Sequence, residues 1–412
     1  MVSNMAIKYL SKSDIKNKTV ILRPDLNCPV ENGKVGDDFR IQQSLPTIQA
    51  LIDGENKLII CGHLGRPKGE WKKEFTFLPV ARHLADILGL KFIETDGKTP
   101  DYGVNHLIFY TGDLREEKHI QQIKSIPAKD IVFLENMRFY QEEEKNDPEF
   151  AKSLASLAEV FVLDGFGVAH HPAVSVTGLA KHLDSYCGLL LEKEIKSLDA
   201  VLKHAKEPFI VMTGGIKLSE KVGALENLGK KADKILVGGG VANLMFKVKG
   251  FEVGLSKIEE SESKTAWQIM KNFKDKLMLP LDVVVTNKNM DKDSIRVCLP
   301  HEVSSSEQIL DAGPKTIMAY AAEIKKAKTI VWSGPLGMYE KPPFHHASFA
   351  LSRLIGGRGK GIAFVVAGGG DTVDVIRQSH QFEHIDHVST GGGSMLEYLA
   401  GEKLAGIEAL AQ

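Results

Sequence analysis

The chain runs to 412 residues, enough for two domains that each bury a core, with room for a third. Hydrophobic residues at 43% and charged residues at 25% exclude a disordered or fibrous chain. With 52 Lys and Arg against 53 Asp and Glu, no basic excess draws a nucleic acid or an anionic membrane, so any anion site has to be built locally. Cys28, Cys61, Cys187 and Cys298 stand far apart with no metal-ligand spacing and read as reduced thiols. The start lacks the apolar segment of a signal peptide, and no apolar run nears the ~18 residues of a membrane span, so the expected location is the cytoplasm.

Short apolar runs alternate with segments of helical period throughout. That pattern of βαβ units predicts an α/β fold of doubly wound parallel sheets. In the first half, the runs at 19–27 (TVILRPDLN), 57–66 (KLIICGHLGR), 131–138 (IVFLENMR) and 160–171 (VFVLDGFGVAHH) end in cations. Between them, Leu78, Ala81, Leu84, Ala85 and Leu88 share one face of a predicted helix that Gly89 stops. A second helix is predicted over 147–158, with Asp147 as N-cap and Pro148 at its first position. Glu142, Glu143 and Glu144, followed by Lys145, read as a solvated turn. Residues 181–203 have helical period and no Pro or Gly after Gly188, which suits a rigid join between domains with the boundary near Tyr186.

In the second half, five apolar runs end in glycine, at 208–215, 234–240, 329–337, 361–371 and 385–393. Ligands of open parallel sheets lie beyond the carboxyl ends of the strands, where glycine lets backbone N–H groups approach phosphate oxygens. Glycines that merely make tight turns are the alternative for any one pair, but five such ends point to a nucleotide. Neither the P-loop pattern nor GxGxxG occurs, so an ordinary P-loop kinase and a simple dehydrogenase lose their main support. Lys217 and Lys221 follow Gly214 and Gly215 at a spacing of four, so on a helix they would meet successive phosphates from one side. Asp371, after Gly369 and Gly370, suits a phosphate-bridging Mg²⁺ unless it is an N-cap, and Thr372 offers a hydroxyl. In the first half Arg23, Arg40, His63, Arg66, Arg138, His170 and His171 would converge with Asp25 and Asn27 around a small, highly anionic molecule bearing hydroxyls.

These motifs resemble those of the phosphoglycerate kinase family over essentially the whole chain and in the same order. RPDLNCPV is similar to RVDFNVPL, HLGRP is unchanged, TGGIKLSEK is similar to GGAKVSDK, WSGPLGMYE is similar to WNGPVGVFE, and GGGDT and STGGG are unchanged. The resemblance implies an N-terminal domain, residues 1–185 with the returning segment 391–412, that binds 3-phosphoglycerate. A C-terminal domain, residues 186–390, would bind Mg·ADP or Mg·ATP, and hinge closure would join the two. It assigns Asp25, Asn27, Arg40, His63, Gly65, Arg66, Arg138, His170 and His171 to the phosphoglycerate, with Arg40 also catalytic. Gly214, Gly215, Lys217, Lys221, Gly238, Gly239, Gly313, Glu340, Gly369, Gly370, Asp371 and Thr372 would serve the nucleotide, Glu340 at the ribose, Gly313 on the adenine side and Asp371 at the metal. Lys217 and the amides of Gly391, Gly392 and Gly393 would accompany the phosphoryl group in flight. A monomer is implied, with no nucleic-acid or membrane partner.

The chain departs from the family at His171, where an arginine usually meets the substrate phosphate, and at Leu163, Ser333 and Ala405. A histidine forms no bidentate fork and is only partly protonated at pH 7. Two readings of different class stay open: an active phosphoglycerate kinase, and a nucleotide-binding relative whose acceptor site has drifted toward a binding or regulatory role.

Overall fold

Each predicted apolar run becomes a strand covered on both faces, which is why the runs lack polar alternation. The computed structural model describes residues 7–97 and 105–411. In the first unit the strands are β1 Thr19–Arg23, β2 Lys57–Ile60, β3 Lys91–Thr95, β4 His106–Tyr110, β5 Ile131–Leu134, β6 Val160–Leu163 and β7 Asp184–Cys187. They lie in the order β3-β4-β5-β2-β1-β6-β7, all parallel. The winding reverses between β1 and β6, so a crevice opens at their carboxyl ends. The helices are α1 Phe39–Asp53, α2 Leu78–Leu88, α3 Glu117–Ser125, α4 Gln141–Glu144, α5 Pro148–Ala155 and α6 Leu189–His204. On one face Phe77 meets Phe133 edge-on, with centroids 5.1 Å apart, in a core that includes Leu22, Ile60 and Phe109.

Both predicted helices form where their end signals stand. Gly89 closes α2 at φ +66°, and the Asp147 carboxylate accepts from the Phe150 amide at 2.8 Å to start α5. α5 ends at Ala155, three residues before the predicted end.

The second unit has β8 Phe209–Thr213, β9 Lys234–Val237, β10 Leu277–Met278, β11 Val283–Asn287, β12 Arg296–Cys298, β13 Glu307–Ala312, β14 Thr329–Ser333, β15 Phe364–Ala367 and β16 His387–Val388. A parallel sheet runs β10-β9-β8-β14-β15-β16, with its winding reversed between β8 and β14. All five glycine-ended runs are strands of this one sheet. β11, β12 and β13 form a separate antiparallel sheet, which the βαβ reading of the sequence did not contain. The helices are α7 Val222–Gly229, α8 Gly239–Val248, α9 Ser263–Asn272, α10 Pro314–Ile324, α11 His346–Gly356, α12 Gly370–Gln378 and α13 Gly392–Ala400, and α14 Ala405–Leu410 completes the first unit.

The compact units are Met1–Ile195 with Lys403–Gln412, and Lys196–Glu402. The division falls inside α6, not near Tyr186, which belongs to β7. Residues 391–402, expected with the first domain, pack in the second. There the Asn227 side chain donates to the Leu399 carbonyl at 2.8 Å, and a Cβ on Gly223 would come 2.9 Å from Ala400. The return to the first unit begins at Lys403, where Gly406 of α14 lies against Leu163 and Val176. All four cysteines are buried and free. Among the described residues no helix is long and apolar enough to cross a membrane.

Candidate active site

The carboxyl ends of β1, β2, β5 and β6 gather the basic residues of the first unit. Arg40 occupies the first turn of α1, the positive end of the helix dipole, so a cation there adds to the field that draws an anion. Its guanidinium is held by Asp25, whose side chain is fully buried, at 3.0 Å. Asn27 accepts from the Gly65 amide at 3.0 Å, and Arg138 donates to the Gly65 carbonyl at 2.9 Å, so the HLGR loop is pinned from both sides. Only glycine fits at Gly65, with φ +60° and a would-be Cβ 2.4 Å from the Phe75 ring. Arg66 is exposed and makes no hydrogen bond or ion pair among the described residues, free to meet a ligand.

Three expectations change around these strand ends, two about cations and one about an acid. Arg23 is 2% exposed and turned inward, donating to Ser175 Oγ, the Pro24 carbonyl and His63 Nδ1. His63 is no cation: burial, then Arg23, Arg138 and Arg40, hold its pKa well below the usual value. Glu143 is not solvated but 2% exposed, and its carboxylate accepts from the Ser175 hydroxyl and amide. Ser175 and Glu143 were absent from the predicted site because charge density in a Glu-rich run says nothing of the segment that folds over it.

His170 and His171 are both exposed, with ring centroids 6.2 Å apart. Partial burial, then Arg138 and His170, lower the His171 pKa against the opposing pull of Glu144, which favours the neutral ring. Arg138 lies 3.7 Å from Glu144 and, with His171, walls a small pocket of about 10 Å³. A phosphate bound beside the exposed His171 ring would favour its protonated form, so affinity for an anion should rise as pH falls from 7.5 to 6. We expect His171→Arg to remove a pH-dependent change of about threefold to tenfold in affinity for 3-phosphoglycerate, measured by calorimetry. Comparing the two proteins cancels the titration of the phosphate itself. Equal slopes in both would contradict this role for His171.

In the second unit a cavity of about 760 Å³ opens at the switch point between β8 and β14. Gly215, Gly239, Gly369, Gly370, Gly392, Lys217, Lys221, Glu340, Asp371 and Thr372 line it. Three helices, α8, α12 and α13, begin at its wall, so their positive dipole ends converge. The glycines divide into two kinds. The amides of Gly214, Gly215, Gly238 and Gly239 are already bonded to Ser333, Pro335, Thr213 and Leu336 carbonyls, so these residues interlock the strand-end loops and have no free amide to offer a phosphate. A Cβ on Gly214 would sit 2.0 Å from the Pro335 oxygen. The amides of Gly370, Gly392 and Gly393, at the starts of α12 and α13, keep no bond within the described residues. Gly391 differs from its two neighbours, because its amide donates to Ser389 Oγ at 3.2 Å.

Lys217 and Lys221 sit on a turn before α7, not on one helix face. Lys217 is exposed and paired with Glu220 at 2.8 Å, whereas Lys221 is buried at the cavity wall, and that burial lowers its pKa. Asp371 is exposed in the first turn of α12 and makes no N-cap bond. Thr372 is buried, its hydroxyl oxygen accepting from the Gly334 amide at 2.7 Å. Gly313 does not line the cavity: it starts α10, and a Cβ there would meet the Asp282 carboxylate. Its neighbour Ala312 lines the cavity instead, with Leu310, Leu336 and the buried Asp311. Asp311 was missed because its carboxylate serves the Ala312 and Ala347 amides, and burial raises its pKa to about 7.

Residues 10–402 match the family model described as phosphoglycerate kinase. A phosphoglycerate kinase of Pelotomaculum thermopropionicum is 37% identical over 409 residues, covering 98% of this chain and 99% of that protein. The Dictyoglomus turgidum phosphoglycerate kinase is 38% identical over 413 residues, with 99% of each chain covered. The solved phosphoglycerate kinase of Coxiella burnetii superposes with a TM-score of 0.82 at 34% identity, covering 98% of this chain and 99% of that one. That of Pyrococcus horikoshii gives 0.82 at 31%, with 98% of each covered. With the motif order, both parallel sheets and whole-chain similarity in agreement, the chain belongs to the phosphoglycerate kinase family.

Proposed function

We propose that this chain catalyses reversible phosphoryl transfer between 1,3-bisphosphoglycerate with ADP and 3-phosphoglycerate with ATP, a step of glycolysis and gluconeogenesis. The observation that carries the reading is the division of chemistry between the units. One gathers Arg40, Arg66 and Arg138 at strand ends, and the other surrounds a nucleotide-sized cavity with free helix N-termini. The first unit then binds the phosphoglycerate and the second the nucleotide. Asp25, sealed beneath the site, serves it by holding Arg40 in place. The acceptor carboxylate is already ionised near neutral pH, so no general base is required.

The phosphoryl group in flight carries negative charge on its equatorial oxygens. Arg40, Lys217 and the amides of Gly392 and Gly393 would stabilise that charge. Lys221 would hold nucleotide phosphates, Glu340 the ribose, and Leu310, Ala312 and Leu336 the base. Among the described residues no three His, Cys, Asp or Glu come together as a metal cage. A Mg²⁺ shared between one carboxylate and the nucleotide's own phosphates needs none, and Asp371 is the carboxylate that suits it. When bound, Mg²⁺ supplies charge neutralisation at the phosphate oxygens. We take the working form to be a cytoplasmic monomer without nucleic-acid or membrane partners.

The metal assignment has a direct test. Asp371→Asn should weaken ADP binding about tenfold or more when Mg²⁺ is present and leave binding in excess chelator unchanged, by calorimetric titration. An equal loss in both conditions would remove Asp371 from the metal.

A further inference from the structure

The buried groups behind the basic site form a chain in which each hydrogen bond has one permitted direction. Glu143, 2% exposed, accepts from the Ser175 amide at 3.0 Å and from its hydroxyl. The Ser175 oxygen accepts from Arg23 Nε at 2.9 Å. Arg23 Nη2 reaches His63 Nδ1 at 2.9 Å. A guanidinium has five donors and no acceptor, so His63 Nδ1 must present its lone pair and the ring proton must sit on Nε2. Nε2 has no partner among the described residues and is not among the sealed, unsatisfied polar atoms, so it is the end of the chain open to a ligand. The charges on Arg40 and Arg138 bear on the same imidazole, so a further cation at His63 would be repelled where a neutral donor is not.

We propose that Glu143, Ser175 and Arg23 act as a positioning relay that holds His63 in the Nε2–H tautomer, making it a fixed hydrogen-bond donor to an oxygen of the bound phosphoglycerate. The proposal rests on the phosphoglycerate kinase reading. It separates Arg23 from the other arginines of the site: Arg23 never touches the substrate, and its influence passes through one imidazole. Glu143 faces the sealed guanidinium through Ser175, and the charge on Arg23 opposes the rise in pKa that burial imposes on that carboxyl.

Nitrogen-15 NMR of the histidine-labelled full chain, without substrate at pH 7, reads the tautomer directly. A pyridine-like Nδ1 and a pyrrole-like Nε2 at His63 are expected. A protonated Nδ1, alone or as imidazolium, would overturn the relay. Ser175→Ala keeps the backbone bond to Glu143 but deletes the link to Arg23. It should raise KM for 3-phosphoglycerate about tenfold, with kcat and KM for ATP within about twofold, and its His63 nitrogen signals should shift toward averaging of the two tautomers. Unchanged KM, or equal effects on both substrates, would refute the positioning role. If the wild-type protein has no turnover, the kinase reading fails. The substrate-free tautomer, and calorimetric binding of 3-phosphoglycerate to both proteins, would then decide the relay on their own.

Discussion

Replacing Arg40 by alanine is expected to lower turnover about a hundredfold or more, while ADP affinity stays within about twofold of the wild type. The reason lies in where Arg40 stands. It occupies the first turn of α1, at 31% side-chain exposure, with one nitrogen on the buried Asp25 carboxylate and the rest of its fork available. Charge that develops on a transferring phosphoryl group would be stabilised there by a group already oriented, so its loss would act on the transition state and not on the nucleotide. Alanine also strips Asp25 of its cation, so Arg40→Lys is the control: it keeps a charge beside Asp25 but has no planar fork. We expect that variant to fold like the wild type and still to lose about tenfold in turnover. A coupled assay with a calorimetric ADP titration separates the effects. Near-normal turnover in Arg40→Ala would remove the catalytic assignment.

The second large effect is on the core under the nucleotide cavity. Trp332→Ala should destabilise the protein by about 3–5 kcal/mol, a large part of the margin of an ordinary domain. Trp332 is fully buried on β14, in register with Met212 of β8 and Ala367 of β15. Its indole nitrogen donates to the Gly334 carbonyl at 2.9 Å, and the Gly334 amide is tied to Thr372. Gly334 sits at φ +97°, a conformation that only glycine adopts without strain, so this loop at the cavity wall depends on both bonds. Trp332→Phe separates packing from tethering: it fills most of the volume but leaves the Gly334 carbonyl without its donor. That variant should lose about 1–3 kcal/mol in urea unfolding and bind ADP more weakly. Full stability together with normal ADP affinity in Trp332→Phe would show that the indole bond does not hold the loop.

Much of the architecture is legible before any coordinates, for a physical reason. Strands of a parallel sheet are buried on both faces, so each reads as an unbroken apolar run, and the residues just past its carboxyl end mark the ligand side of the sheet. The helices α2 and α5 are legible because Gly89 and Asp147 carry their own end signals. The features that escaped depend on partners distant in the chain. Glu143 belongs to a run that composition assigns to solvent, yet it is buried and bonded to Ser175, 32 residues later in the chain. Arg23 and Arg40 are both arginines in basic motifs, and the difference between an inward tether and an open fork is set by tertiary contacts. The glycines at 214 and 238 were expected to bare their amides, yet the carbonyls of Ser333 and Thr213 at neighbouring strand ends take those amides, and Pro335 and Leu336 take the space a Cβ would fill. The domain boundary was invisible because α6 runs through it without a break in helical period.

Whole-chain similarity to phosphoglycerate kinases disfavours a drifted, non-catalytic relative, and His171, in place of the family's arginine, is the acceptor-site position that a turnover assay has to clear. The decisive measurement is therefore ATP-dependent phosphorylation of 3-phosphoglycerate by the purified chain with Mg²⁺, monitored in a coupled assay beside His171→Arg. The account predicts turnover in the wild type on the order of 1–100 per second or faster, with the arginine variant at least as active. Binding of Mg·ATP without turnover in either protein would contradict it.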